Sequence, residues 1–364
     1  MGTGADARPP TRGIPRLQPC GGCQTRSIMP PPCFSARMND DVGDPPISIE
    51  RSQQLCENVL NEVSDAVITT DTFLETVLTG VLAQQHVLIE DVPGTGKTLT
   101  AQSLAGALGL EFNRIQFTPD LLPSDITGSN VFNESQGDFQ FNSGPIFANV
   151  VLADEINRAP PKTQAALLEA MEEKQVSIGD TTHDLPEPFF VIATQNPVEQ
   201  EGTFALPESQ RDRFMIKTSI GYPARDDERE LLDRRLNRMV PSPSVQRIID
   251  PDEVTTVQQA VEYVHVDSKI RDYILDLGRA TRKHAAVDVG VSPRGIQRLL
   301  EAVRARAVIR GREYVVPEDV QSLAMPVFAH RIVLSSSAMI EGDDRSDVIE
   351  DVLNQIDVPA MEAM

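Results

Sequence analysis

The chain has 364 residues, 40% of them hydrophobic, which is enough for about two domains with real cores. No apolar run approaches the roughly 18 residues a membrane span needs, and no apolar stretch opens the chain as a secretory signal does, so the cytoplasm is the expected compartment. Asp and Glu outnumber Lys and Arg by 54 to 33, for a net charge of −21. That balance repels nucleic acid and anionic membranes, and it resembles the acidic composition of proteins from salt-loving organisms.

Residues 1–45 are rich in Pro, Gly, Ser and Arg and show no apolar periodicity, so they read as a disordered, basic segment. An acidic stretch opens at Met38. The favoured reading starts translation at Met29 or Met38; the other is a basic tail for an acidic partner. Cys20 and Cys23 form a C-x-x-C with Cys33 ten residues on, but no fourth ligand sits at zinc spacing. Cys56 reads as a small buried hydrophobe.

Helical periodicity runs from Ile47 to Val67 and from Thr72 to Leu82. Val87, Leu88 and Ile89 then form a short apolar run, the pattern of a buried parallel strand. A helical pattern follows over Leu99–Leu108, and N-R-I-Q-F at 113–117 reads as a second strand. Pro and Asp signals at 118–128 predict a turn and a short helix. Residues 131–142 alternate around Q-G-D-F, a hairpin signal. Val150–Ala153 is a third strand, and Pro161–Lys174 a helix that Pro161 suits at its first turn. A second hairpin is predicted at 175–187 with Gly179 and Asp180 at its tip. Phe189–Ala193 is the fourth strand and 214–219 the fifth. Beyond Tyr222 every segment reads as helical: 226–237, 251–260, 267–283, 293–310 and 317–325. The last residues are acidic and weakly patterned, with a terminal helix or a frayed end at 348–356.

Two stretches carry chemistry. The first is Val87 to Thr98, V-L-I-E-D-V-P-G-T-G-K-T. Strand, Gly-rich loop, Lys, hydroxyl and helix is the arrangement that cradles a nucleoside triphosphate. The loop of Val92, Pro93, Gly94, Thr95 and Gly96 and the helix start at Leu99 would wrap the phosphates, with every backbone N–H except at Pro93, which has none, available to face them. Lys97 would reach the β- and γ-phosphates, and the Thr98 hydroxyl would ligate Mg²⁺. Asp91 stands where the usual pattern has Gly. The second stretch is Val150 to Glu155, V-V-L-A-D-E, an apolar strand ending in two carboxylates at a crevice-facing edge. There Asp154 would hold Mg²⁺ through water, and Glu155 would polarise the attacking water.

These motifs, with F-N-S-G-P-I-F-A-N-V-V-L-A-D-E-I-N-R-A-P-P-K-T-Q-A-A-L-L-E-A-M-E-E, V-I-A-T-Q-N-P and L-P-E-S-Q-R-D-R-F, resemble the MoxR family of AAA+ ATPases over roughly Ile47–Ile332. In that family Asp often takes the first phosphate-loop position. The resemblance implies an α/β P-loop NTPase core at 46–222 with a parallel sheet of order 5-1-4-3-2. A small all-helical lid at 223–335 and an acidic tail at 336–364 would follow. It implies that Asn196 is a sensor that bonds the attacking water or the γ-phosphate. Arg213 would be an arginine finger acting on the neighbouring subunit's nucleotide, with Arg211 a weaker candidate. Arg294 would be a second sensor on the lid. By themselves, Arg213 and Arg294 would read as surface ion-pair residues.

The two hairpins match insertions that the family places near a pore or a client-facing surface. Phe139 and Phe141 either form a contact surface there or pack on the hairpin's own base. The implied function is ATP hydrolysis by a ring homo-oligomer, a hexamer, that remodels, matures or activates a client protein. Partners of relatives often contain a von Willebrand factor A domain. Two other classes remain compatible with the residues: a nucleic-acid-directed motor, which the acidic surface disfavours, and a nucleotide-gated scaffold with incidental hydrolysis.

Overall fold

The computed structural model describes residues 44–360 except 136, 198–202, 205 and 241–242. Cys20, Cys23, Cys33 and the alternative starts Met29 and Met38 lie outside the described residues. Two helices come first, α1 (Ile49–Ala66) and α2 (Asp71–Leu82), then β1 (His86–Glu90), α3 (Lys97–Ala107) and β2 (Phe112–Gln116). The short α4 (Pro123–Thr127) leads into a hairpin of β3 (Gly128–Asn133) and β4 (Asp138–Ser143). Next come β5 (Val150–Asp154), α5 (Pro161–Glu173), a second hairpin of β6 (Gln175–Ile178) and β7 (Thr181–Asp184), and β8 (Phe190–Gln195). The short α6 (Glu208–Arg211) and β9 (Phe214–Thr218) close this part.

The five strands of the large sheet lie in the order β2-β5-β8-β1-β9, all parallel. Counted along the chain, that is the 5-1-4-3-2 order the family resemblance implies. The central strands are buried on both faces, which is why they read as unbroken apolar runs rather than as alternation. Successive side chains go to opposite sides. Val87, Ile89, Val150, Leu152 and Ile192 join one core, against α1 to α3. Leu88, Val151, Ala153, Val191 and Ala193 join the other, against α4 and α5. His86 locks the start of β1 in place: Val191 N–H donates to Nδ1 at 3.1 Å, and Nε2 donates to Met171 O at 3.0 Å.

After β9 the chain is helical: α7 (Arg225–Asn237), α8 (Pro251–Val261), α9 (Ser268–Thr281), α10 (Pro293–Ile309), α11 (Pro317–Phe328), α12 (Ser336–Glu341) and α13 (Arg345–Gln355). The exception is a short antiparallel pair, β10 (Val287–Val289) with β11 (Val333–Leu334). Such a pair is too short to register as periodicity. The helix predicted to stop before Pro326 runs on to Phe328 and carries that proline inside. Within the weakly patterned acidic tail, α13 forms at Arg345–Gln355 and buries Val348, Ile349 and Val352. Apart from α7, which buries no residue, these helices extend the first core without a break.

An ion cluster built on the buried carboxylates of Glu75 and Asp319 fixes their docking. Glu75 of α2 pairs with Arg310 at 2.5 Å and Arg306 at 3.5 Å, and Asp319 of α11 pairs with Arg306 at 3.3 Å and Arg312 at 2.7 Å. Cys56 is buried in the same core, and desolvation pushes its thiol up to about 12, as suits an inert small hydrophobe. Among the described residues no helix is long and apolar enough to cross a membrane.

The two hairpin phenylalanines have different surroundings, and neither packs on the hairpin's own base. Phe139 is exposed and meets Phe132 edge-on at 5.3 Å on the hairpin surface. Phe141 instead stacks on His183 of the second hairpin, with centroids 4.0 Å apart, and meets Phe147 edge-on.

Candidate active site

Parallel strands bring all their C-terminal ends to one edge of the sheet, and ligands bind in the crevice beyond it. Here that edge carries Asp91 after β1, Gln116 ending β2, Asp154 and Glu155 at β5, and Thr194 to Asn196 at β8. All of these except Asp91, together with Pro93, Gly94 and residues 96–99 of the loop, line a cavity of about 510 Å³. The phosphate loop turns through Gly94 and Gly96, both at φ +90°, with nothing within 4 Å of where a Cβ would stand. The glycines are therefore present for their backbone conformation, which lets peptide N–H groups face the cavity. Gly96 caps α3, so the free N–H groups of that helix's first turn open on the same space.

Lys97 is buried, and its Nζ donates to the carbonyls of Asp91 at 2.7 Å and Val92 at 2.8 Å. Burial lowers its pKa below the ordinary lysine value, while the nearby Asp91, Asp154 and Glu155 act in the opposite direction. A preorganised ammonium in a partly desolvated site is a strong phosphate ligand.

The two carboxylates are held differently. Asp154 accepts from Thr194 Oγ1 at 2.6 Å and from the Arg114 guanidinium at 2.6 and 3.1 Å. Glu155 accepts from Gln116 Nε2 at 2.8 Å and pairs with Arg158 at 3.3 Å. Arg114 also donates to Gln116 Oε1 at 2.5 Å, so one polar network spans β2 and β5. Glu155 sits at φ 56°, ψ 49°, in the left-handed region, and its N–H donates to Thr194 Oγ1 at 2.9 Å. A non-glycine residue held there is strained, and such strain collects at functional sites. Asn196 is buried at the end of β8 and lines the same cavity.

The cavity thus brings together Lys97, Thr98, Asp154, Glu155 and Asn196. Neither Arg213 nor Arg294 is among the described residues that line it. These two share one carboxylate elsewhere: Glu172 of α5 lies 3.2 Å from Arg213 Nη2 through one oxygen and 3.2 Å from Arg294 Nη2 through the other. Arg294 also approaches Asp212 at 4.0 Å, and the buried Arg331 binds Asp212 at 2.7 Å. Arg211 turns inward, and burial and Arg345 lower its pKa. Asp91 directs its carboxylate away from the loop's glycines, to the backbone of Ile220 and Gly221.

Sequence reasoning missed Arg114, Gln116, Thr194 and Glu172. It also missed a second cavity of about 490 Å³ on the other side of Gly94 and Gly96, walled by Ile68, Tyr222, Pro223, Leu231 and Leu232. The edge rule that found Asp154 and Glu155 would have found Gln116 had it been applied to the second strand.

The described residues hold no cluster of three His, Cys, Asp or Glu side chains that could cage a metal. The donor set present, the Thr98 hydroxyl and the Asp154 carboxylate, is the sparse oxygen set that Mg²⁺ accepts when phosphates supply further ligands.

The model of the ATPase family associated with various cellular activities matches residues 86–216, and an AAA lid domain model matches residues 279–352. The chain is similar to YeaC of Bacillus subtilis, at 45% identity over 78% of this chain and 88% of that protein. It is similar to Chaperone MoxR1 of Mycobacterium tuberculosis, at 40% identity over 85% of this chain and 83% of that one. A crystal structure of a candidate ATPase from Cytophaga hutchinsonii superposes with a TM-score of 0.80 at 39% identity, covering 86% of this chain and 97% of that one. With its P-loop core, helical lid and these relatives, the chain belongs to the MoxR family of AAA+ ATPases.

Proposed function

We propose that the chain hydrolyses ATP to ADP and phosphate and uses the turnover to remodel or activate a partner protein. The observation that carries this reading is the convergence of Lys97, Thr98, Asp154, Glu155 and Asn196 on one cavity of about 510 Å³. In it Lys97 exchanges its bonds to the Asp91 and Val92 carbonyls for phosphate oxygens. Thr98 and Asp154 would hold Mg²⁺, which would supply positive charge to neutralise the phosphates. Glu155 takes a proton from a water whose oxygen bonds to the γ-phosphorus as the bond to the β–γ bridging oxygen breaks. Asn196 orients that water. The apolar wall of Ile68, Tyr222 and Leu231 suits the base of the nucleotide.

Arg213 and Arg294 share Glu172, apart from this cavity, and that supports a common role towards a neighbouring copy in a ring. Two guanidiniums delivered to the next subunit's nucleotide would stabilise charge in its transition state. The name of the similar Chaperone MoxR1 supports a protein client.

Nucleotide binding tests the reading. Lys97→Ala is expected to weaken the binding of a fluorescent ATP analogue by at least about tenfold, the loss of one charge-assisted contact. Unchanged affinity would remove Lys97 from the site.

A further inference from the structure

The phosphate loop departs from its usual pattern at Asp91, and the structure gives that carboxylate partners which phosphate binding does not call for. Its Oδ1 accepts from Val92 N–H at 2.8 Å. Its Oδ2 accepts from two successive amides, Ile220 at 2.9 Å and Gly221 at 2.7 Å. Those amides form the turn by which the chain leaves β9 for the lid. Gly221 sits at φ +74° with nothing near its missing Cβ, so the turn depends on glycine for its conformation. Tyr222 and Pro223 follow and face Gly94, Thr95 and Gly96 across the second cavity.

The main chain of Asp91 is tied on its other side. Its N–H donates to Gln195 O at 3.0 Å, and its C=O accepts from Lys97 Nζ at 2.7 Å. One buried residue therefore touches the phosphate-binding lysine, the end of β8 and the turn that leads to the lid. A glycine there would leave two adjacent amides without their charged acceptor.

We propose that Asp91 is a positioning residue that couples the phosphate loop to the lid, its carboxylate holding the 220–221 turn in register with the loop. The inference rests on reading the main cavity as a triphosphate site. When Lys97 leaves the Asp91 and Val92 carbonyls for phosphate oxygens, the Asp91 peptide loses its ammonium partner and shifts. The two amides on its carboxylate shift with it, and Tyr222, Pro223 and α7 follow. Such coupling requires an element whose arrangement both sides bias, and the bonded pair of Asp91 and the 220–221 turn is that element.

Amide hydrogen exchange of the full chain tests this. Asp91→Gly restores the usual motif, and Asp91→Asn keeps the shape with a neutral acceptor. Without nucleotide, exchange at Ile220 and Gly221 is expected to rise at least about tenfold in Asp91→Gly, the equivalent of about 1.4 kcal/mol, and by less in Asp91→Asn. With a saturating non-hydrolysable ATP analogue, the wild type is expected to change its exchange across residues 225–237, and Asp91→Gly to lose that change. Wild-type exchange at 220–221 in both variants overturns the proposal. So does a nucleotide response at 225–237 that survives in Asp91→Gly. Protection of residues 94–99 by the analogue reads the nucleotide site by itself, so its failure is told apart from failure of the coupling.

Discussion

Gln116 donates from Nε2 to Glu155 Oε2 across 2.8 Å, so the carboxylate assigned to the attacking water is held by the neighbouring strand. A carboxylate oxygen engaged in this way has one acceptor site fewer to offer the water, so the bond must open or be shared before the water docks there. Gln116→Ala removes this donor and leaves Arg158 beside the carboxylate, so Glu155 can turn to the water more readily. Basal turnover is expected to rise, by up to about tenfold for one hydrogen bond of ordinary net strength, with little change in ATP affinity. Steady-state kinetics beside a binding titration would show it, and an unchanged or lower kcat would argue that Gln116 orients Glu155 productively.

The shared Glu172 makes a prediction about which subunit Arg294 serves. Arg213 and Arg294 each lie 3.2 Å from it, one on each oxygen. If both act on the neighbour's nucleotide, mixing inactive Arg294→Ala subunits with inactive Glu155→Gln subunits should recover part of the activity, as should mixing Arg213→Ala with Glu155→Gln. The recovered sites would combine an intact Glu155 with an arginine from the next chain. Recovery with Arg213→Ala alone would return Arg294 to its own subunit's site. No recovery in either mixture, where co-assembly is demonstrated, would count against a shared site.

His86 sets an acid limit on stability. It is fully buried between Met171 and Val191, and desolvation lowers its pKa from 6.5 to about 4. The unfolded chain therefore takes up this proton first. The contribution is present in full above about pH 6.5 and is lost as the pH falls towards about 4. Complete loss is on the order of 3 kcal/mol. Urea unfolding at pH 7 and pH 5 should show the decline, and His86→Gln, which cannot titrate, should shrink the gap between the two. An equal gap in the variant would assign the acid sensitivity elsewhere.

Much of this site could be read in the chain before any coordinates. The central strands are legible because burial on both faces writes them as apolar runs, and the loop is legible because Gly94, Gly96 and Lys97 fall at the spacing of the phosphate-loop pattern. Residues that act through side chains far apart in sequence were not. Glu172 ends an ordinary amphipathic helix, and only the fold brings it to Arg213 and Arg294. Arg114 looks like the polar member of a strand until its guanidinium is found on Asp154, 40 residues away. Asp91 was legible as an irregularity of the motif, but its cause lay in the backbone of Ile220 and Gly221, about 130 residues on. The β10–β11 pair escaped because strands of two or three residues carry no period.

The central claim is that Glu155 activates the water in a site that otherwise binds ATP through the phosphate loop. Purified Glu155→Gln keeps the shape of that side chain and removes its basicity. Its ATP turnover, measured beside its ATP affinity, is the most direct test. The account predicts affinity close to wild type and turnover reduced by at least about 100-fold, the usual worth of a general base. Turnover that persists near the wild-type rate in this variant would contradict it.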